Sequence, residues 1–140
     1  MFINFPRLVT HSLANSPPQI QKAVSSISTS SKDEHSIFIY SGTYTEQVTI
    51  PVLSGKLNIY GYTKDTTDYS GNVVNLQWKS ALATGAADDE HTAALINTSP
   101  NVAVYNINIK NTYGKPPGSN GQAIALSAYN TEQGYYGVGL

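Results

Sequence analysis

The sequence predicts an all-β domain that is entered through one short amphipathic helix. From residue 37 onward, short β-prone runs follow one another and are divided by Gly, Asn, Asp or Pro. Helical periodicity is confined to residues 19–27. The chain has 140 residues, 40% of them hydrophobic, which suffices for one core and leaves no room for a second domain. Short strands at this spacing are compatible with a sandwich, a barrel or a β-helix.

The helix is predicted from apolar residues at one-turn spacing. Ile20, Ala23, Val24 and Ile27 lie at positions i, i+3, i+4 and i+7, directly after a proline pair. We therefore expect a helix over residues 19–27, an irregular lead-in over residues 1–18, and one domain over residues 19–140.

The strands are predicted from short runs rich in Val, Ile, Leu and Tyr. One run, Val102 to Ile109, alternates with period two and is predicted as a single strand with Val102 and Asn106 on one face and Ala103 and Ile107 on the other. The remaining runs are residues 37–40, 47–50, 56–60, 73–76, 93–96 and 122–126.

A weak repeat favours the β-helix among these three architectures. Residues 92–96, a polar residue followed by four small or aliphatic ones, recur as residues 122–126, displaced by 30 positions. Stacked coils produce repeats of this length. The repeat predicts that Thr92 and Gln122 occupy equivalent positions on adjacent rungs.

Composition excludes several functional classes. A net charge of −1 and a pI near 6.2 argue against nucleic-acid binding and against a polybasic membrane module. With no cysteine the chain offers no disulfide, no Cys-ligated metal and no thiol nucleophile. No apolar run approaches the roughly 20 residues of a membrane span, and the first residues lack the charged and apolar regions of a signal peptide.

Two acidic segments allow both a chemical and a structural interpretation. Residues 88–91, Asp-Asp-Glu-His, could hold a metal ion, but adjacent loop residues rarely converge on one ion, and we favour a solvated loop. Asp65 and Asp68 could act as an acid–base pair, but turn formation is the more common role of Asp. The ten tyrosines are expected to cover the core, with some available for stacking on sugars. Asn97-Thr98-Ser99 is the one unobstructed glycosylation sequon.

The order of several motifs resembles the pectin methylesterases (pectinesterases), and the fungal branch most. The resemblance runs from about residue 17 to residue 140. It is carried by the Gly-x-Tyr-x-Glu segment within residues 37–48, by the Gln-Ala-x-Ala-Leu motif at residues 122–126, and by residues 57–63, 106–112 and 132–137. Membership would imply a right-handed parallel β-helix, one end of which is capped by the opening helix.

The resemblance also implies an activity and its parts. Pectinesterases hydrolyse the methyl esters of polygalacturonate with an aspartate nucleophile, a second aspartate as acid and base, a glutamine that donates to the oxyanion, and an arginine. Of these parts only the glutamine has a match, at Gln122, and Thr92 is expected to line the same cleft as a substrate-binding residue. The motifs of both aspartates and of the arginine have no match. The resemblance thus describes the N-terminal part of such an enzyme, and we expect no turnover from these residues alone.

Further expectations follow from the resemblance. The partner would be methylesterified pectin, no metal or other cofactor is implied, and the location would be extracellular. An exposed C-terminal rung would favour self-association. Two alternatives stay open: a non-catalytic module that binds polysaccharide through a tyrosine-lined face, and a degenerate product without function.

Overall fold

The computed structural model describes residues 7–11, 20–114, 116–118 and 121–140. One α-helix, α1 (Ile20–Ser25), and three short 3-10 turns (Tyr69–Gly71, Leu82–Thr84 and Glu90–Thr92) accompany the strands. The strands are β1 (Arg7–His11), β2 (His35–Ile39), β3 (Gly42–Thr45), β4 (Val48–Ile50), β5 (Leu57–Gly61), β6 (Val74–Trp78), β7 (Leu95–Asn97), β8 (Val102–Tyr105), β9 (Asn108–Asn111), β10 (Leu126–Ala128) and β11 (Gln133–Tyr136).

The strands stack as the three faces of a parallel β-helix. Sheet A has the order β1-β2-β5-β8-β11, sheet B the order β3-β6-β9, and sheet C the order β4-β7-β10. Every pairing within these sheets is parallel. The chain visits sheets A, B and C in turn on each rung, which confirms the predicted solenoid.

Aliphatic side chains of equivalent rung positions form columns inside the coil. In sheet A, Ile37, Ile59 and Val104 lie in register with one another, and Tyr135 continues the column on β11. In sheet C, Val48 and Leu95 are paired in the same way. The aliphatic members of these columns are almost wholly buried, so each rung covers the apolar surface of the one before it.

Helix α1 covers the end of the coil at the first rung, as the resemblance implies. Ile20, Ala23 and Val24 face the core, which confirms the periodicity, although the helix ends earlier than residue 27. On its polar side, the Gln21 amide pairs with the backbone of Thr49, accepting from its N–H at 2.6 Å and donating to its carbonyl at 3.2 Å. The side chain thereby fills hydrogen-bonding positions that a neighbouring strand would otherwise occupy.

The single strand predicted over residues 102–109 is wrong, because the chain bends between two strands. Asn106 adopts a left-handed conformation (φ 54°), which Asn tolerates better than most residues. The bend shifts the alternation by one position. As a result Val102 and Val104 on sheet A, and Ile107 and Ile109 at sheet B, are all buried, although strict alternation would place the two pairs on opposite faces.

The irregular lead-in predicted over residues 1–18 is also partly wrong. Residues 7–11 form β1, which pairs in parallel with β2 from Arg7↔His35 to His11↔Ile39. This strand supplies backbone partners to the edge of β2, which a coil beginning at residue 19 would leave open. The division of the chain at residue 19 stays a prediction.

The predicted repeat is real but out of register by one residue. Leu126 pairs with Leu95 and Ser127 with Ile96, a displacement of 31 instead of 30, so Gln122 is not the rung equivalent of Thr92. Because small residues occupy positions 93–94 and 123, the residue pattern could not fix the register, and a slip of one residue turns every side chain to the opposite face.

Within the described residues, no helix is long and apolar enough to cross a membrane.

Candidate functional site

The corner between sheets B and C carries the longest connections of the second and third rungs. On the first rung, only Glu46 and Gln47 separate β3 from β4. On the following two rungs, residues 79–94 and 112–125 make the same connection. These two loops lie on neighbouring rungs at one corner, and together they build the candidate site.

Asn111, the last residue of β9, ties the two loops together. Its Nδ2 donates to the carbonyl oxygens of Ser80 (2.8 Å), Thr92 (2.8 Å) and Ile124 (3.1 Å). Its Oδ1 accepts from the backbone N–H of Tyr113 at 3.0 Å. One side chain therefore holds three backbone segments of these two loops in fixed positions. The sequence analysis missed this residue, since an Asn at a strand end carries no sequence signal for such a role.

Thr92 lies behind the surface of the site. Its side chain is 0% exposed. The hydroxyl donates to the Asp89 carbonyl at 2.6 Å and accepts from the Ile124 N–H at 3.1 Å. In this arrangement Thr92 connects the loop that precedes β7 with the segment that follows Gln122, and its hydroxyl is engaged within the chain.

Gln122 is exposed on the third-rung loop, and its amide meets the carboxylate of Asp89 on the second-rung loop. In the amide orientation that satisfies both groups, the Gln122 nitrogen donates to Asp89 Oδ1 at 2.6 Å and to Oδ2 at 2.5 Å. The Gln122 carbonyl oxygen of the backbone accepts from the N–H of Leu82 at 3.3 Å. The site thus presents a primary amide whose nitrogen already faces a negatively charged oxygen acceptor.

Asp88 and His91 of the acidic loop 88–91 are hydrogen-bonded to each other. Asp88 Oδ1 accepts from His91 Nδ1 at 2.6 Å and from the His91 backbone N–H at 2.9 Å. Both bonds lower the pKa of Asp88, the side-chain bond more than the backbone bond, and so keep the carboxyl ionised. Among the described residues, no three His, Asp or Glu side chains are grouped closely enough to hold a metal ion.

Asp65 and Asp68 have the turn roles that their composition favours. Asp65 Oδ1 accepts from the Thr67 N–H at 2.8 Å and from its hydroxyl at 2.6 Å, and Asp68 Oδ1 accepts from the Ser70 N–H at 2.9 Å. Both bond to residues two positions ahead, the geometry of an Asx turn. They lie on the connection between sheets A and B, outside the site.

A second surface feature is a ladder of tyrosines on the outer face of sheet A. Tyr60, Tyr105 and Tyr136 are in register on β5, β8 and β11. Their rings stack at centroid distances of 4.8 and 4.9 Å, with interplanar angles of 14° and 15°. Tyr136 lies over Gly134, where a Cβ would approach the ring to 2.5 Å. The ring position therefore requires glycine at residue 134.

A groove of about 340 Å³ runs beside this ladder. Ala103 and Gly134 are the small residues in it, Tyr105 and Tyr136 are its aromatic residues, and its polar side chains belong to Lys56, Asn101, Glu132 and Gln133. Aromatic rings beside hydrogen-bonding groups are typical of a surface that binds carbohydrate or another partly polar ligand.

The sequon asparagine is not available at the surface. Asn97 is 0% exposed; its Oδ1 accepts from the Ser99 N–H at 3.1 Å and its Nδ2 donates to the Tyr135 hydroxyl at 3.1 Å. A glycan at Asn97 would break these bonds in the folded chain, so Asn97 serves the coil interior.

Comparison with known proteins agrees with this architecture. No family model matches the chain. A pectinesterase of Aspergillus niger is 51% identical over 117 residues, which cover 84% of this chain and 34% of that protein. A pectinesterase of Aspergillus aculeatus is 42% identical over 118 residues, with 84% and 35% covered. The crystal structure of the Aspergillus niger pectin methylesterase superposes with a TM-score of 0.80 at 32% identity, covering 96% of this chain and 43% of that one.

A parallel β-helix that superposes on a pectin methylesterase defines the class of protein: a solenoid of the pectin-methylesterase type. Over the residues that match, the chain belongs to the pectinesterase family and is related to its fungal members. It spans about a third of the length of the curated relatives that it matches.

Proposed function

We propose that this chain carries the ester-binding part of a pectinesterase and that Gln122 donates a hydrogen bond to the carbonyl oxygen of a methylesterified galacturonate. The observation that carries the proposal is the exposed Gln122 amide, whose nitrogen faces the Asp89 carboxylate in the amide orientation that satisfies both groups. A donor of this kind stabilises the charge that develops when an ester carbonyl is attacked. A carboxylate side chain could not take this role, because it is an acceptor when ionised.

Thr92 supports this role from behind the surface. Its hydroxyl holds the Ile124 N–H, two residues from Gln122, and its carbonyl is held by Asn111. We propose that Thr92 fixes the backbone from which Gln122 projects. Substrate contact, the role that the resemblance suggested for Thr92, would require the buried side chain to leave these bonds.

Hydrolysis itself needs groups that have no counterpart among the motifs of these 140 residues. In the family that the chain resembles, one aspartate attacks the ester, a second aspartate transfers the proton, and an arginine holds the nucleophile. The motifs that carry these three residues have no match here. We therefore propose that the chain by itself binds the methyl ester without releasing methanol. Because the proposed substrate is a cell-wall polysaccharide, we also propose an extracellular location. Self-association through the last rung stays a prediction.

Binding and turnover separate these statements in one set of experiments. Isothermal titration with a methylesterified oligogalacturonate is expected to show about 2- to 10-fold weaker binding for Gln122→Ala, the value of one hydrogen bond. Gln122→Glu is expected to bind more weakly still, because the new carboxylate cannot donate. Equal affinity of all three proteins would refute the donor role. Methanol release above that of Gln122→Ala would refute the proposed lack of turnover.

A second candidate function, polysaccharide binding without catalysis, is favoured by the tyrosine ladder and its groove. Retardation of the chain in a pectin-containing gel is expected to decrease in Tyr136→Ala, because this ring is 55% exposed at the end of the stack. Tyr129→Ala is the matched control, since Tyr129 is 64% exposed and is not among the groove residues. Equal retardation of both variants would remove the groove as the binding surface.

A further inference from the structure

The Gln122 amide is engaged by Asp89 before any ligand arrives. In the amide orientation that satisfies both groups, the two carboxylate oxygens lie within hydrogen-bonding distance of the Gln122 nitrogen, at 2.6 and 2.5 Å. Both side chains are exposed, so a ligand that reaches Gln122 also meets the negative charge of Asp89.

The contact is built by the residues behind it. The Asp89 carbonyl accepts from the Thr92 hydroxyl, which in turn accepts from the Ile124 N–H. Asn111 holds the carbonyls of Thr92 and Ile124 with the same nitrogen. The backbone positions near Asp89 and Gln122 are therefore fixed by the same two side chains, and the two surface groups are brought together by the fold.

A resident carboxylate changes which ligands Gln122 can accept. Hydrogen bonds to a charged acceptor are roughly twice as strong as those to a neutral one, so an ester carbonyl at this N–H gains only the net value of one modest hydrogen bond, while an oxyanion gains more. A ligand carboxylate carries the charge to compete, but it must approach the like charge of Asp89, and Asp88 and Glu90 lie beside it in the chain. Like-charge juxtaposition is a common source of specificity.

We propose that Asp89 is a specificity-determining residue. It occupies the Gln122 nitrogen when no ligand is bound, and its charge disfavours a free galacturonate carboxylate at Gln122 relative to a neutral methyl ester. This inference rests on the proposed donor role of Gln122. In a complete reaction it would favour ester over product at this position.

The contact itself is tested without ligand by NMR of the ¹⁵N-labelled chain. The side-chain NH₂ resonances of Gln122 are assigned by their loss in Gln122→Ala. Asp89→Asn, which keeps the shape and removes the charge, is expected to shift them. The matched control Asp88→Asn breaks the neighbouring contact with His91 and is expected to leave them in place. Unshifted resonances in Asp89→Asn would overturn the inference.

The specificity is tested with two oligogalacturonates of equal length, one fully methylesterified and one fully de-esterified. Asp89→Asn is expected to reduce the preference for the ester by about three-fold, the size of one exposed charge–charge interaction. An unchanged preference, or equal weakening of both ligands, would overturn the role of Asp89. If neither ligand moves the Gln122 resonances in any variant, the donor role of Gln122 fails as well, and the two failures are thereby distinguished.

Discussion

The carboxylate of Glu46 caps helix α1 from the first rung of the coil. Glu46 Oε1 accepts from the Ile20 N–H at 2.9 Å, and Oε2 accepts from the Gln21 N–H at 3.1 Å. The first N–H groups of a helix have no partner within it, and here two of them are satisfied by a residue 25 and 26 positions away. The Glu of the Gly-x-Tyr-x-Glu segment thus joins the helix to the β-helix.

Replacing Glu46 is expected to destabilise the chain. Glu46→Ala removes both cap bonds and should lower the free energy of unfolding by about 0.5–2 kcal/mol, the range measured for caps. Glu46→Gln keeps one acceptor and should lose less. Urea unfolding measures the loss of stability in both variants. Glu90→Ala is the control, because Glu90 lies in a 3-10 turn of the second-rung loop and not at α1. An equal loss in the Glu46→Ala variant and in the control would contradict the capping role.

Replacing Asn111 is expected to loosen the site corner. Asn111→Ala leaves the carbonyls of Thr92 and Ile124 without this donor, and unsatisfied buried groups cost about 1–3 kcal/mol. Faster amide exchange at Tyr113, whose N–H loses its acceptor, would accompany the lower stability. Asn130→Ala, which removes two exposed bonds, one to the Thr98 carbonyl and one from the Thr131 N–H, should cost less. Similar exchange rates in the two variants would argue against the role of Asn111.

Gly61 is expected to tolerate no side chain. A Cβ at this buried position would overlap the Asn106 carbonyl oxygen and approach Ile107 Cγ1 to 2.8 Å, because Gly61 and Asn106 follow the paired residues Tyr60 and Tyr105 on neighbouring strands. Gly61→Ala should cost about 1–3 kcal/mol of overpacking. At Gly71 a Cβ would meet its nearest atom at 3.5 Å, so Gly71→Ala is the control and should lose much less. Thermal melts compare the two variants. Equal melting temperatures would show that the backbone at Asn106 moves to make room for the new side chain.

The contribution of Glu34 is expected to depend on pH. A hydrogen bond from Asn58 Nδ2 (2.7 Å), followed by the bond and the charge of Lys56, lowers the pKa of Glu34. A carboxyl whose pKa is lower in the folded state stabilises the fold above the unfolded pKa, and this stabilisation is lost as the pH falls through the folded pKa. Unfolding of the wild-type chain and of Glu34→Gln should differ at pH 7 and converge in acid. A difference that stays constant down to pH 3 would rule out this linkage.

Local patterns were sufficient for the elements but not for their junctions. The spacing of Ile20, Ala23 and Val24 predicts α1 because helix periodicity is a local property, and runs of β-branched residues predict most strands for the same reason. The bend at Asn106 was missed because period-two alternation continues across it in the sequence. Strand β1 was missed because residues 7–11 are a strand through their pairing with β2, which is not a local property of the sequence. In the site, Gln122 was identified through a family motif and not through its chemistry.

The sequence by itself determined that the chain is β-rich with an opening helix, since apolar periodicity and turn residues are local properties. The choice of a solenoid among β-rich folds came from the resemblance that the order of the motifs carries. Only the tertiary structure decided the register of 31 between β7 and β10, the burial of Thr92, and the contact between Asp89 and Gln122. The physical reason is that residues far apart in the chain meet across rungs about 4.8 Å apart. One residue of slip between two rungs exchanges the buried and the exposed side chains. Because these segments consist largely of small residues, their sequence does not specify the register, which is set only when the rungs pack on one another.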